Sequence, residues 1–181
     1  EAVVETHSTL AIIYAKRISE AMTNIHHYDK LIRDVMSELP DANIFDSLPG
    51  AGKCLSPRLL AAFGDQRDRF NSAQEVQQYA GVAPVTQRSG KKTWVHWRWH
   101  SSKFLRQSFI EWAGHSIRES YWANQYYLKQ RASGSSHQVA VRALAFKWIR
   151  IVYRCWKDNK PYSEVRYLNA LKERGSPLVN S

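Results

Sequence analysis

Ser89 stands in the run Gly81-Val82-Ala83-Pro84-Val85-Thr86-Gln87-Arg88-Ser89-Gly90-Lys91-Lys92. A serine beside a glycine is open to a bulky phosphodiester. Arg88, Lys91 and Lys92 are cations that can hold such a group and stabilise extra negative charge at phosphorus. A serine hydroxyl is a weak nucleophile until a base or a metal activates it. Chemistry alone therefore reads Ser89 as a loop serine that contacts phosphate, and leaves attack on phosphorus open.

A second run with phosphate chemistry is Leu48-Pro49-Gly50-Ala51-Gly52-Lys53. Gly50 and Gly52 permit a turn with positive φ and a close approach of phosphate to backbone. The helix that follows presents free N–H groups and the positive end of its dipole, and Lys53 adds a charge. A short helix, a Gly-x-Gly turn and a second helix resemble a helix-hairpin-helix, which grips DNA backbone without reading sequence. The alternative is a plain turn between two core helices. The familiar catalytic signatures are missing: the chain has no H-E-x-x-H, no Walker loop and no G-x-S-x-G. Its histidines are scattered, and the basic region has no group of acids to ligate a metal.

Charge points the same way. Lys plus Arg number 26 against 16 Asp plus Glu, a net +10. Residues 1–46 are net −4, so the remainder carries +14. Residues 76–110 contain no acid but hold Arg88, Lys91, Lys92, Arg98, Lys103 and Arg106. Residues 120–157 contain none either, and hold Lys129, Arg131, Arg142, Lys147, Arg150, Arg154 and Lys157. A solvated face normally mixes signs, so an acid-free stretch suggests that a polyanion supplies the missing charge. Gly50, Gly52, Lys53, Arg88, Lys91, Lys92, Arg98, Arg106, Arg142, Lys147, Arg150 and Arg154 are the candidate nucleic-acid contacts. Ordinary surface cations are the competing explanation. No run approaches 18 apolar residues, so no membrane span is expected. Cys54 and Cys155 are too few for a disulfide framework, and both read as small buried hydrophobes in a reducing compartment.

The elements that must position these groups are mainly helical. Residues 10–39 carry Ala11, Ile18, Ile25, Ile32 and Leu39 at one heptad position, and Tyr14, Ala21, Tyr28 and Val35 at the other. That seam predicts a coiled-coil helix and a homo-oligomer, with a helix packed on its own domain as the alternative. The expected layout is a coiled-coil segment over residues 1–42, a compact helical domain over 43–168 and a flexible tail over 169–181. Within the domain, Ser56 is a possible cap of a helix with Pro57 in its first turn, and Ser72 with Glu75 forms a capping box. Residues 86–90 read as a polar loop and 93–99 as a short extended piece. Helices are expected over about 102–129 and 137–158, the second burying Val141, Leu144, Trp148, Ile151 and Cys155. Trp94, Trp97 and Trp99 can stack on bases or form core.

Four blocks in order resemble one known family. They are Leu48-Pro49-Gly50-Ala51-Gly52 with Ala61-Ala62-Phe63-Gly64-Asp65; Phe70-Asn71-Ser72-Ala73 with Tyr79-Ala80-Gly81-Val82-Ala83-Pro84; Arg88-Ser89-Gly90; and Val139 to Ala145 continued through Lys157-Asp158-Asn159-Lys160-Pro161-Tyr162. Residues 45–167 are similar to the C-terminal serine-bearing domain of DEDD-type insertion-sequence transposases, the bridge-RNA-guided serine recombinases. The run Lys91 to His100 departs from the glycine- and arginine-rich segment usual in that family.

The resemblance implies a DNA transposase or recombinase. Ser89 would match the serine that attacks DNA phosphorus and leaves a phosphoserine link. DNA and a guide (bridge) RNA would be its partners. Mg²⁺ would be held by the carboxylates of a ribonuclease-H-like domain outside these residues, with no metal bound by this stretch. Residues 1–40 would match the end of the coiled coil between the two domains, so the chain reads as a C-terminal part that binds but does not cut by itself. A cytoplasmic, nucleoid-associated protein of a bacterium or archaeon follows from the same resemblance. The alternative is a non-catalytic helix-hairpin-helix binding module.

Overall fold

The computed structural model describes residues 2–96 and 98–178 and divides the chain into two units, Glu1–Leu39 and Pro40–Ser181. The first unit is a single helix, α1 (Ala2–Ser37). It starts eight residues before the heptad pattern does. Ile18, Ile25, Ile32, Tyr14, Tyr28 and Val35 are all exposed on it. No helix among the described residues is long and apolar enough to cross a membrane.

The second unit contains α2 (Ala42–Asp46), α3 (Gly52–Phe63), α4 (Ala73–Tyr79), β1 (Val85–Ser89), β2 (Lys92–His96), α5 (Lys103–Glu119), α6 (Tyr121–Ala132), α7 (His137–Lys157) and α8 (Glu164–Glu173). The protein is mainly α, as the sequence predicts. Its core holds two aromatic clusters. Trp112 of α5 and Trp122 of α6 flank Trp148 of α7, with ring centroids 4.9 and 4.5 Å away. Phe63 sits among Phe45, Phe70, Phe109 and Trp156. A buried indole needs a partner for its N–H, since leaving it bare costs about 1–3 kcal/mol. Among the described residues all four buried tryptophans have one: Trp112 donates to Pro49 O, Trp122 to Tyr162 Oη, Trp148 to Ser116 Oγ and Trp156 to Gly64 O, at 2.7–3.0 Å.

Several local expectations change. The helix expected over 102–129 is two helices. Ser120 between them is extended (φ −129°, ψ 124°), and its hydroxyl accepts from Ala123 N at the start of α6. Glu164, from the start of α8, receives the Ser120 hydroxyl at 3.0 Å and the Tyr162 hydroxyl at 2.5 Å. This polar corner turns the chain where a continuous helix would run past the core. Burial, and next the Glu164 carboxylate, push the Tyr162 phenol above its usual value. The segment after residue 168, read as a tail, carries the second half of α8 and buries Leu171 and Leu178. In α7, Val141, Leu144 and Trp148 are buried as expected, but Ile149, Val152 and Trp156 complete the face while Ile151 and Cys155 are half-buried. Cys54 is exposed rather than buried.

The Ser72 half of the capping box forms, with Ser72 Oγ accepting from Glu75 N, while the Glu75 carboxylate reaches one residue further back and accepts from Asn71 N at 2.9 Å. The start of α3 differs. The helix begins at Gly52, which places Pro57 in its interior and Ser56 among its buried residues. Ser56 is not a cap; its hydroxyl donates to Asp46 Oδ1 at 2.6 Å and ties α3 to α2.

Candidate nucleic-acid interface

The residues from 85 to 96 form an antiparallel hairpin with Val85 opposite His96, Gln87 opposite Trp94 and Ser89 opposite Lys92. The polar loop expected over 86–90 is thus strand β1. The extended piece expected over 93–99 is strand β2 as far as His96; Trp97 lies outside the described residues. The cause is the two-residue connection Gly90-Lys91. Gly90 has φ +57° and Lys91 does not have positive φ, the pattern of a type II′ turn, whose twist suits a hairpin. Every residue from Thr86 to Val95 is exposed; only the roots, Val85 and His96, are half-buried.

Strand alternation sorts the cations around Ser89. Residues 87 and 89 share a face with their partners 94 and 92, whereas Arg88 lies on the other face opposite Thr93. Lys92 is therefore the direct cross-strand neighbour of Ser89, with Cβ atoms about 5 Å apart. Arg88 is turned away, and Lys91 sits in the turn itself. Sequence adjacency had placed all three cations around one phosphate; the pleat keeps one beside the serine. The same face carries an exposed Trp94, whose indole N–H donates to Gln87 Oε1 at 2.8 Å. Gln87 and Trp94 were missed as a pair. Their signal is the alternation outward from a two-residue glycine turn. Trp99 is also exposed.

Gly50 and Gly52 prove to have different neighbours. At Gly50 (φ +74°) a Cβ would lie 2.7 Å from His115 C and Ser116 N, so the glycine lets the α2–α3 turn pack against the backbone of α5. At Gly52 (φ +54°) a Cβ would meet nothing within 4 Å, and the neighbouring Lys53 is exposed. The turn between two core helices accounts for Gly50.

The remaining cations fall into two groups. Arg98, Arg106 and Arg142 gather at the roots of the hairpin and are half-buried. Arg142 Nε donates to Val82 O at 3.2 Å, just before β1. Arg106 donates to Arg98 O at 3.2 Å and to Ser101 Oγ at 2.5 Å, just after β2. Burial, and next the charge of Arg106, pull Arg142 below its ordinary value. The second group lies on α7. Lys147 has its ammonium 4.8 Å from the Tyr126 ring centroid and 5.7 Å from that of Trp122. Burial, then Arg150 and Lys129, pull its pKa down. Arg154 pairs with Asp158 at 2.6 Å, and that hydrogen bond holds its pKa up. Arg150 is exposed. Among the described residues, no group of three or more His, Cys, Asp or Glu is arranged to hold a metal ion.

Residues 42–128 match the family described as Transposase IS116/IS110/IS902. The mini-circle protein of IS117 from Streptomyces coelicolor, provisionally named its transposase, is 34% identical over 137 residues, covering 76% of this chain and 33% of that protein. An uncharacterised 42 kDa protein of insertion element IS900 from Mycobacterium paratuberculosis is 30% identical over 157 residues, covering 86% of this chain and 39% of its own. A pilin gene-inverting protein of Moraxella bovis is 28% identical over 152 residues, covering 81% and 46%. The chain thus spans between a third and a half of the length of these relatives.

Proposed function

We propose that this chain is the serine-bearing part of an insertion-sequence transposase or DNA-inverting recombinase. The observation that carries the reading is Ser89 at the exposed tip of a II′ hairpin, with Lys92 opposite it and an aromatic ring on the same face. Its support is the match of residues 42–128 to a transposase family and the transposase and gene-inverting names of its relatives.

In this reading Ser89 Oγ forms a bond to a DNA phosphorus while the bond from phosphorus to the leaving sugar oxygen breaks. The serine proton passes to a base, and the leaving oxygen gains one. The phosphoserine keeps the bond energy, so attack by the oxygen of a second DNA end rejoins a strand with no net redox change. Lys92 neutralises a non-bridging oxygen. The hairpin, residues 85–96, contains no acid to take the proton. In this reading carboxylates outside this stretch hold any Mg²⁺, as the family resemblance implies, and the 181 residues alone bind DNA without cutting it. In this reading a guide RNA chooses the target, as the resemblance of residues 45–167 to the bridge-RNA-guided recombinases implies. The exposed seam of α1 pairs with a second copy, which brings two serines to one assembly. Such a protein works in the cytoplasm on the nucleoid.

The test is covalent trapping in the full-length parent protein with its RNA, Mg²⁺ and nicked target DNA. A DNA adduct on the peptide containing Ser89, absent in Ser89→Ala while DNA binding persists, is the expected result. Strand exchange with no adduct overturns the nucleophile and returns Ser89 to phosphate contact.

A further inference from the structure

Trp94 stands in the middle of the hairpin face that ends on Ser89. Strand alternation puts Val85, Gln87 and Ser89 on one face with their partners His96, Trp94 and Lys92. The root pair, Val85 and His96, is half-buried, and the two rows beyond it are exposed. An indole that is 46% accessible in such a row is not core. It is also held in place. The indole N–H donates across the strands to Gln87 Oε1 at 2.8 Å. That bond uses the only polar atom of the side chain, so what the ring still offers is aromatic surface. A two-stranded hairpin exposed on both faces is marginal in water, and covering such a ring stabilises it.

The charge around the ring selects what covers it. Residues 85–96 hold Arg88, Lys91 and Lys92 and no acid. An acidic peptide would match the cations but not the ring, and an apolar protein surface the ring but not the cations. A nucleotide matches both, with a flat aromatic base joined through one sugar to a negative phosphate.

We propose that Trp94 is a stacking platform for one unpaired DNA base, belonging to the nucleotide beside the phosphate held at Ser89 and Lys92. This rests on the reading that the hairpin presents Ser89 to DNA, and it adds the form of the substrate: a strand with an unpaired nucleotide at the site of attack. Trp94 is the diagonal cross-strand neighbour of Ser89, about 7–8 Å away, a gap that a sugar bridges between base and phosphate. Inside a duplex both faces of a base are covered by its neighbours, so only a base that has left the stack can lie on the ring. Gln87 is a positioning residue, because it fixes the plane on which the base rests.

The test is binding of the 181-residue chain by fluorescence anisotropy to three labelled DNAs: a perfect duplex, a duplex with one bulged thymidine, and the same bulge made abasic. The two bulged DNAs carry the same phosphates and differ only in the base. The wild type should bind the bulged thymidine about tenfold more tightly than the abasic bulge. Trp94→Val, which keeps a β-branched residue in the strand, should erase that preference at an unchanged salt slope, since no phosphate contact is lost. Trp94→Phe should keep most of it, and Trp99→Val, at another exposed tryptophan, all of it. Equal wild-type binding to the two bulges overturns the platform. So does a Trp94→Val variant that weakens all three DNAs alike, and so does a preference that Trp99→Val abolishes or that appears in an RNA duplex but not in DNA. If Trp94→Val loses the hairpin, photocrosslinking of the wild type to iodouracil in the bulge decides. A link to Trp94 supports the platform, and a link elsewhere or none overturns it. A wild-type chain that binds none of the three DNAs overturns the DNA reading of the hairpin and the platform with it, whereas binding without a base preference overturns the platform alone.

Discussion

Replacing Gly50 with alanine puts a Cβ 2.7 Å from two backbone atoms of α5, His115 C and Ser116 N. Carbon contacts are comfortable at about 3.5–4.0 Å, so the turn and α5 must separate by about 1 Å. Neither side yields cheaply, because both clashing atoms belong to a helix backbone that is held by Trp112 and Trp148. The φ of +74° adds a conformational cost of about 1–2 kcal/mol for any residue with a Cβ. Overpacking adds about 1–3 kcal/mol. The sum is near 3 kcal/mol. At about 2–4 °C per kcal/mol for a chain of this size, the melting temperature should fall by about 6–12 °C. Gly52→Ala is the internal control: its φ is +54° but its Cβ meets nothing, so only about 1–2 kcal/mol, or roughly 2–8 °C, is expected. Thermal unfolding followed by circular dichroism compares the two directly. If both variants melt together, the packing account of Gly50 is wrong.

The polar corner at Ser120 gives a second expectation. Ser120→Ala removes a helix cap and one partner of Glu164, for about 1–2 kcal/mol, and chemical denaturation should show that loss with an unchanged denaturant slope. The two thiols should differ in reactivity. Burial, then Asp158, push the Cys155 thiol up to about 11, so at pH 8 an Ellman titration should find Cys54 promptly and Cys155 only after unfolding. Removing residues 1–39 should convert the oligomer to a monomer in sedimentation experiments while the remaining domain keeps its helical spectrum, since every buried apolar residue among those described, apart from Met36, follows residue 40. An oligomer that survives the truncation would place the interface elsewhere.

Much of the helical framework was legible because its signals are local. The heptad spacing of Ile18, Ile25 and Ile32, the Ser72–Glu75 pair and the apolar stripe through Val141, Leu144 and Trp148 each lie within a few turns of one helix. So does the excess of charge after residue 46. What the sequence could not order is what separate segments do to one another. Ser120 breaks a helix because Glu164, far along the chain, takes its hydroxyl. Arg88 and Lys92 look equivalent beside Ser89 until cross-strand pairing assigns them to opposite faces. Gly50 invites a phosphate until α5 occupies the space where its side chain would be. Arg106 and Arg142 read as two candidate nucleic-acid contacts on two helices, and only packing brings them to the roots of one hairpin. Residue type and spacing decide which element forms and which charge it carries. Which face meets which neighbour depends on contacts between residues distant in sequence, and those exist only once the chain has closed on its tryptophan core.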